Sequence, residues 1–112
     1  MEIPASPLSS GEFRPPAKVD GLTIRVSRAQ YKQWDRCDLT FCELSTGTVV
    51  AGVTTQSRCP SPEVEWCRDA LSQGKARALI VNAGNANAFT GSRGREAVEA
   101  IGAKVSDHLG CD

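Results

Sequence analysis

Residues 78–91 of this chain read Ala78-Leu79-Ile80-Val81-Asn82-Ala83-Gly84-Asn85-Ala86-Asn87-Ala88-Phe89-Thr90-Gly91. The apolar run at the start predicts a buried strand, and the residues after the loop have the apolar spacing of a helix. In a layered α/β protein, the junction between such a strand and such a helix is a common place for ligands to bind. The stretch therefore predicts an α/β fold with a ligand site at the junction between this strand and this helix.

Length and composition limit the classes of protein to which the chain can belong. It has 112 residues, enough for one small domain, and 40% of them are apolar. The formal net charge is zero, which argues against a nucleic-acid partner bound through a basic face. Every apolar run is far shorter than the ~18 residues of a membrane helix. The N-terminus does not resemble a secretory signal, so we expect a cytoplasmic protein with no membrane or nucleic-acid partner.

The cysteines do not form a recognisable disulfide or metal pattern. There are five of them, and an odd number disfavours a fully paired disulfide framework. Cys37 and Cys42 have a spacing compatible with a metal, but no second pair completes a set of four ligands. We therefore expect buried, reduced thiols and no metal site.

The N-terminal half predicts an extended arm and three strands. Four prolines fall within residues 1–17, which we interpret as an arm, and residues 18–112 form the domain. Alternating apolar residues predict strands at 21–28 and 37–44. Residues 48–55 are apolar on both faces, which predicts a third, central strand reached through a short hairpin connection.

The C-terminal half predicts two helices around a fourth strand at 77–81. Pro62 suits the first position of a helix that extends to residue 73. Ser92 is a candidate N-cap for the second helix, and Gly110 fits its C-terminal cap. The result is an α/β (α+β) class, a mixed sheet with helices packed on it. Two helices leave part of this sheet uncovered, so we expect more polypeptide to pack there.

Common catalytic arrangements fit the sequence poorly. Gly84, Gly91 and Gly94 could present N–H groups to an anion, but no Lys-Ser or Lys-Thr pair follows, as a Walker P-loop requires. The only histidine, His108, falls in the last turn of a predicted helix, where an imidazolium complements the helix dipole. Without a second histidine, a nucleophilic triad has little support.

The loop asparagines leave two interpretations open. The amides of Asn82, Asn85 and Asn87 could bind an amino-acid or amide substrate, because each amide both donates and accepts. They could equally stabilise the loop itself through Asx turns. A small non-catalytic binding module, using loop 82–91 for an anion or amide ligand, is the alternative to an enzyme.

The segment from Ala76 to Gly91 closely resembles a signature of the ornithine acetyltransferase family, also called bifunctional glutamate N-acetyltransferase. In that family a basic-apolar strand precedes Asn-Ser-Gly-Asn-Ala-Asn-Ala, then Cys or Phe, Thr and Gly. This chain has Ala83 where serine is usual. A second segment, 50–58, resembles a family strand that ends in a Gly-Val-Phe-Thr-type run, with Thr54 in place of the aromatic residue.

The resemblance implies an α-β-β-α sandwich and an enzyme of arginine biosynthesis. In the family, a precursor cuts itself before a threonine into α and β chains, expected as an α2β2 heterotetramer. The freed threonine takes an acetyl group from N-acetylornithine, or from acetyl-CoA in bifunctional members, and passes it to glutamate, with no cofactor.

The resemblance also implies which part of this enzyme the chain represents. The chain would be the N-terminal part of the α chain, whose partners are the remainder of that chain and the β chain. No catalytic residue is expected within it, because the nucleophilic threonine and the oxyanion motif would follow Asp112. The candidates for substrate binding or for the active-site wall are Asn82, Gly84, Asn85, Asn87 and Thr90.

Overall fold

The computed structural model describes residues 4–111 and contains three strands and two helices. In chain order these are β1 (Leu22–Ser27), β2 (Leu39–Leu44), α1 (Pro62–Leu71), β3 (Ala78–Asn82) and α2 (Gly91–Leu109). Residues 4–17 are exposed and belong to neither helix nor strand. The first three residues of the predicted arm and Asp112 lie outside the described part, and the arm as a domain boundary stays a prediction.

The three strands form one sheet in the order β1-β2-β3. Both strand pairs are antiparallel, with Ile24 opposite Cys42 and Cys42 opposite Leu79. The α/β (α+β) class predicted from the sequence is confirmed. The described strands show no parallel pairing, because the connection through α1 returns the chain beside β2 in the reverse direction.

The central strand predicted at residues 48–55 does not form. Only an isolated bridge joins Val49 to Lys75, and Val53 is 100% exposed. The segment instead crosses to α1, where the Arg68 side chain donates to the Thr54 hydroxyl at 3.2 Å and to the Thr55 carbonyl at 3.1 Å. The prediction was wrong because a strand needs a neighbour to satisfy its backbone groups, and apolar character alone does not supply one.

Most helix ends follow local signals, although α1 ends at Leu71, two residues before its predicted end. Pro62 opens α1 as predicted, and Gly110 closes α2 in the left-handed conformation at φ 60°. The expected cap at Ser92 is wrong, since α2 begins at Gly91 and Thr90 is its N-cap residue. The two helices meet where the Trp66 indole lies against Gly102, and an added Cβ there would come within 2.6 Å of the ring.

One face of the sheet is apolar and exposed. Its largest apolar side chains, Ile24, Val26, Leu79 and Val81, are each 51–60% exposed. Within residues 4–111 no apolar residue is fully buried, so the described elements do not close a core of their own. Exposed apolar area of this extent is typical of a surface that another element covers.

The cysteine side chains differ from the expectation of burial. All five thiols are free, as expected, but Cys37, Cys59 and Cys67 are exposed, while Cys42 and Cys111 are partly exposed. Burial was wrong because Cys37 and Cys59 lie in exposed loops and Cys67 lies on an exposed face of α1. No helix among residues 4–111 is long and apolar enough to cross a membrane.

Candidate functional site

The backbone of residues 82–91, called here the asparagine loop, depends on left-handed positions. Gly84 has φ 93°, Phe89 has φ 56° and Gly91 has φ 62°. Residues with a side chain, such as Phe89, rarely adopt these φ angles, whereas glycine adopts them without strain. The loop begins where Asn82 ends β3 and finishes where Gly91 starts α2. Its course is therefore set by specific backbone angles rather than by length alone.

The C-terminal half of the loop is tied to the first turn of α2. The Asn87 amide donates to the Gly94 carbonyl at 3.0 Å, and the Thr90 hydroxyl donates to Asn87 Oδ1 at 2.5 Å. Gly94 is buried beneath both side chains, and an added Cβ would lie 2.8 Å from Thr90 Cβ. Asn87 and Thr90 therefore use their polar groups to hold the loop against the helix.

The N-terminal half of the loop leaves amide groups accessible. Asn82 Nδ2 donates to the Asn85 carbonyl over 3.4 Å, a long and weak hydrogen bond. Both residues are exposed. Of the predicted wall candidates, Asn82 and Asn85 can therefore present an amide to a ligand, whereas Asn87 and Thr90 stabilise the loop. Contact of any of the five candidates with a substrate stays a prediction.

A second loop, residues 28–38 between β1 and β2, packs on the asparagine loop. The Trp34 indole lies over Gly84, and the Ala83 N–H donates to the Asp38 carbonyl at 2.9 Å. Neither residue was a candidate from the sequence, because Trp34 lies in a segment with the composition of an ordinary polar turn and Asp38 lies in the strand predicted at 37–44. The contact joins segments more than 40 residues apart in the chain, so a local sequence pattern does not predict it.

A separate charge cluster lies on the sheet, away from the asparagine loop. The Arg25 guanidinium donates to Glu43 Oε2 at 2.9 Å. This hydrogen bond lowers the pKa of the Glu43 carboxyl below its ordinary value, and the nearby charges of His108 and Arg77 lower it further. His108 lies in the last turn of α2, as the sequence predicts. The cluster has the character of a structural ion pair.

Groups of three or more potential metal ligands are absent from residues 4–111. The asparagine loop itself offers amide and backbone groups for recognition of a ligand. Such groups can orient a substrate or stabilise a developing negative charge, but they supply no nucleophile.

Comparison with known proteins identifies the family. The model of the ArgJ family matches residues 23–112. The chain belongs to the ArgJ family. Among curated relatives, the "Arginine biosynthesis bifunctional protein ArgJ" of Zymomonas mobilis is 59% identical over 106 residues, which cover 95% of this chain and 26% of the relative. The protein of the same name from Mesorhizobium japonicum is 42% identical over 99% of this chain and 27% of its own length.

A solved structure agrees with this ArgJ assignment. Ornithine acetyltransferase from Mycobacterium tuberculosis, complexed with ornithine, superimposes with a TM-score of 0.71 at 30% sequence identity. The match covers 79% of this chain and 48% of that chain. The family resemblance of the asparagine loop is thus confirmed. The chain spans about a quarter of the length of the curated ArgJ relatives that it matches.

Proposed function

We propose that this chain is the N-terminal segment of an acetyltransferase of arginine biosynthesis. The complete enzyme moves an acetyl group from N-acetylornithine, or from acetyl-CoA, to glutamate through an acetyl-threonine intermediate. The observation that carries the proposal is the match to the ArgJ family over residues 23–112, supported by 59% identity to the relative from Z. mobilis.

The chain contributes to binding and orientation in this proposal, while the bond-making groups follow Asp112. The nucleophilic threonine attacks the acetyl carbonyl, with its own α-amine as base and oxyanion donors beside it. Asn82 and Asn85 expose amides at the end of β3, where they can hold the amide or the amino-acid part of a substrate. Gly84 allows the backbone between them to pass beneath the Trp34 indole.

The proposed partners are the remainder of the α chain and the β chain. The exposed apolar sheet face, which includes Ile24 and Leu79, supports this proposal because its area would be costly to leave in water. The complete assembly is an α2β2 heterotetramer, and N-acetylornithine and glutamate are its small-molecule substrates. A biosynthetic role of this kind belongs in the cytoplasm, without a cofactor and without a membrane or nucleic-acid partner.

The test is activity with and without complementary polypeptide. The purified chain should not transfer acetyl groups from N-acetylornithine to glutamate. Co-expression with the part of the Z. mobilis relative that follows the matched region should give a stable complex that does. Turnover by the chain alone would contradict the proposal, because it would place the catalytic groups within these 112 residues. A stable complex with no turnover would also contradict it and would favour the binding module.

Within the active complex, substitutions at two asparagines distinguish an effect on substrate binding from an effect on loop stability. Asn85→Ala should raise KM with little change in the melting temperature. Asn87→Ala should lower the melting temperature, because it removes the hydrogen bonds to Thr90 and Gly94. If Asn85→Ala leaves KM unchanged, the exposed amide has no part in substrate binding.

A further inference from the structure

We propose that loop 28–38 is a clamp on the asparagine loop, with Trp34 and Asp38 as positioning residues of the site. The clamp itself is a structural property of the chain. Its effect on substrate binding rests on the proposed function, and the two are tested separately.

Asp38 holds the clamp in shape from within. It is the one polar residue that is buried in the described part of the chain, at 4% exposure. Its carboxylate accepts the N–H groups of Ala29 at 2.6 Å and Tyr31 at 3.0 Å, while its own N–H donates to the Ser27 carbonyl at 3.1 Å. A carboxylate that accepts two backbone N–H groups makes strong, charge-assisted hydrogen bonds. The turn after β1 is therefore fixed by one side chain.

The same residue connects the clamp to the asparagine loop. The Asp38 carbonyl accepts the Ala83 N–H at 2.9 Å, one residue beyond the end of β3. The antiparallel ladder of β2 and β3 begins with Leu39 opposite Asn82, so this hydrogen bond extends the pairing into both loops. Movement of the clamp is thereby transmitted to the first residues of the asparagine loop.

Trp34 supplies the second contact. A Cβ added to Gly84 would lie 2.8 Å from Trp34 Cζ3 and 2.9 Å from Cη2, so only a glycine fits beneath this indole. The ring is also held in place by cations, with the Arg36 guanidinium carbon 4.0 Å and the Lys32 ammonium 5.2 Å from a ring centroid. A large, oriented side chain thus fixes the position of Gly84.

The clamp and the network around Gly94 hold the two ends of the asparagine loop. Ala83 and Gly84 are fixed by the clamp, and Asn87 is fixed to α2. Asn85 lies between these points, so its exposed amide is carried by a short segment anchored at both ends. Anchoring of this kind reduces the ordering that a ligand would otherwise have to impose.

The structural test is NMR spectroscopy of the 112-residue chain. In the wild type, the ring current of Trp34 should shift a Gly84 Hα resonance upfield. Trp34→Leu should abolish this shift and accelerate hydrogen exchange of the Ala83 amide about two- to tenfold, the range expected for loss of an aromatic contact. Trp34→Phe should keep part of both effects.

A pair of glycines provides the matched control. Gly84→Ala should displace the indole and shift its fluorescence to longer wavelength, since the new Cβ would overlap the ring. Gly47 has a similar φ of 86° but has no atom within 4 Å of an added Cβ, whereas Gly84 has φ 93° and the indole. Gly47→Ala therefore introduces the same backbone strain without the overlap. Equal fluorescence changes in the two variants would overturn the clamp.

The functional test uses the complex with the Z. mobilis polypeptide. Trp34→Leu should raise KM for N-acetylornithine about two- to tenfold, with a smaller change in kcat, because a loosened loop weakens binding of substrate and transition state alike. Trp34→Phe should restore most of the loss, and Trp66→Leu, which alters the contact with α2, should not change KM. An unchanged KM in an active Trp34→Leu complex would overturn the positioning role. An inactive wild-type complex would instead contradict the proposed function, and the NMR result would still decide the clamp.

Discussion

Replacement of Gly94 by alanine should destabilise the chain, although alanine is the better helix former. In an open helix position the substitution gains about 1 kcal/mol of helix propensity. At Gly94, however, an added Cβ would lie 2.8 Å from Thr90 Cβ and would overlap the side-chain oxygens of Thr90 and Asn87. The tertiary contact therefore predicts the opposite sign from the propensity.

The size of the destabilisation follows from the displacement of the Asn87 and Thr90 side chains. Forcing extra volume into a packed site costs about 1–3 kcal/mol. Displacement of Asn87 also breaks the hydrogen bonds that join it to Gly94 and Thr90, and each contributes about 0.5–1.5 kcal/mol. After the gain in propensity is allowed for, we expect the free energy of unfolding to fall by roughly 1–5 kcal/mol.

Thermal and urea unfolding followed by circular dichroism at 222 nm measure this effect. Ser92→Ala is the matched control, because Ser92 is exposed in the same first turn of α2. The control should be neutral or slightly stabilising, by at most about 0.5 kcal/mol. If Gly94→Ala is as stable as this control, or more stable than the wild type, the packing of Asn87 and Thr90 on Gly94 is refuted.

Two further variants test contacts elsewhere in the chain, with Arg93→Ala as the control for both. Arg25→Ala should raise the pKa of the Glu43 carboxyl toward its ordinary value of 4.5, as measured by NMR titration, because it removes the hydrogen bond that lowers this pKa. The wild-type pair accordingly contributes stability at neutral pH that is lost as the pH falls through the lowered pKa, and an unchanged titration curve would contradict this. Arg68→Ala should release segment 50–60 from α1 and speed limited proteolysis there about fivefold or more. Cleavage at the wild-type rate would show that this side chain does not hold the segment.

Elements with local signals were predicted closely from the sequence. Pro62 at the start of α1 and Gly110 at the end of α2 lie where the helix rules place them. The strands β1 and β2 coincide with alternating apolar residues. These features depend on residues within a turn or a strand of each other, so a single sequence contains the information.

Two of the wrong predictions show where a local preference fails. Residues 48–55 have the composition of a central strand, but only Val49 finds a bridge within the described part. Ser92 is a good cap residue, yet α2 begins at Gly91, with Thr90 at the N-cap position and without a side-chain cap hydrogen bond. In both cases the surrounding structure overrides a preference of single residues, as it commonly does.

The sequence by itself determined the family, the positions of the three strands and two helices that form, and the position of the asparagine loop, because these follow from local pattern and from residue identity. Only the tertiary structure decided how the loop amides are used. The Asn87 side chain is hydrogen-bonded to Thr90 and Gly94, while Asn85 is exposed. The Trp34 indole lies on Gly84. The physical reason is that a hydrogen bond or a ring contact requires two groups to meet in space, and sequence separation does not specify which groups will do so.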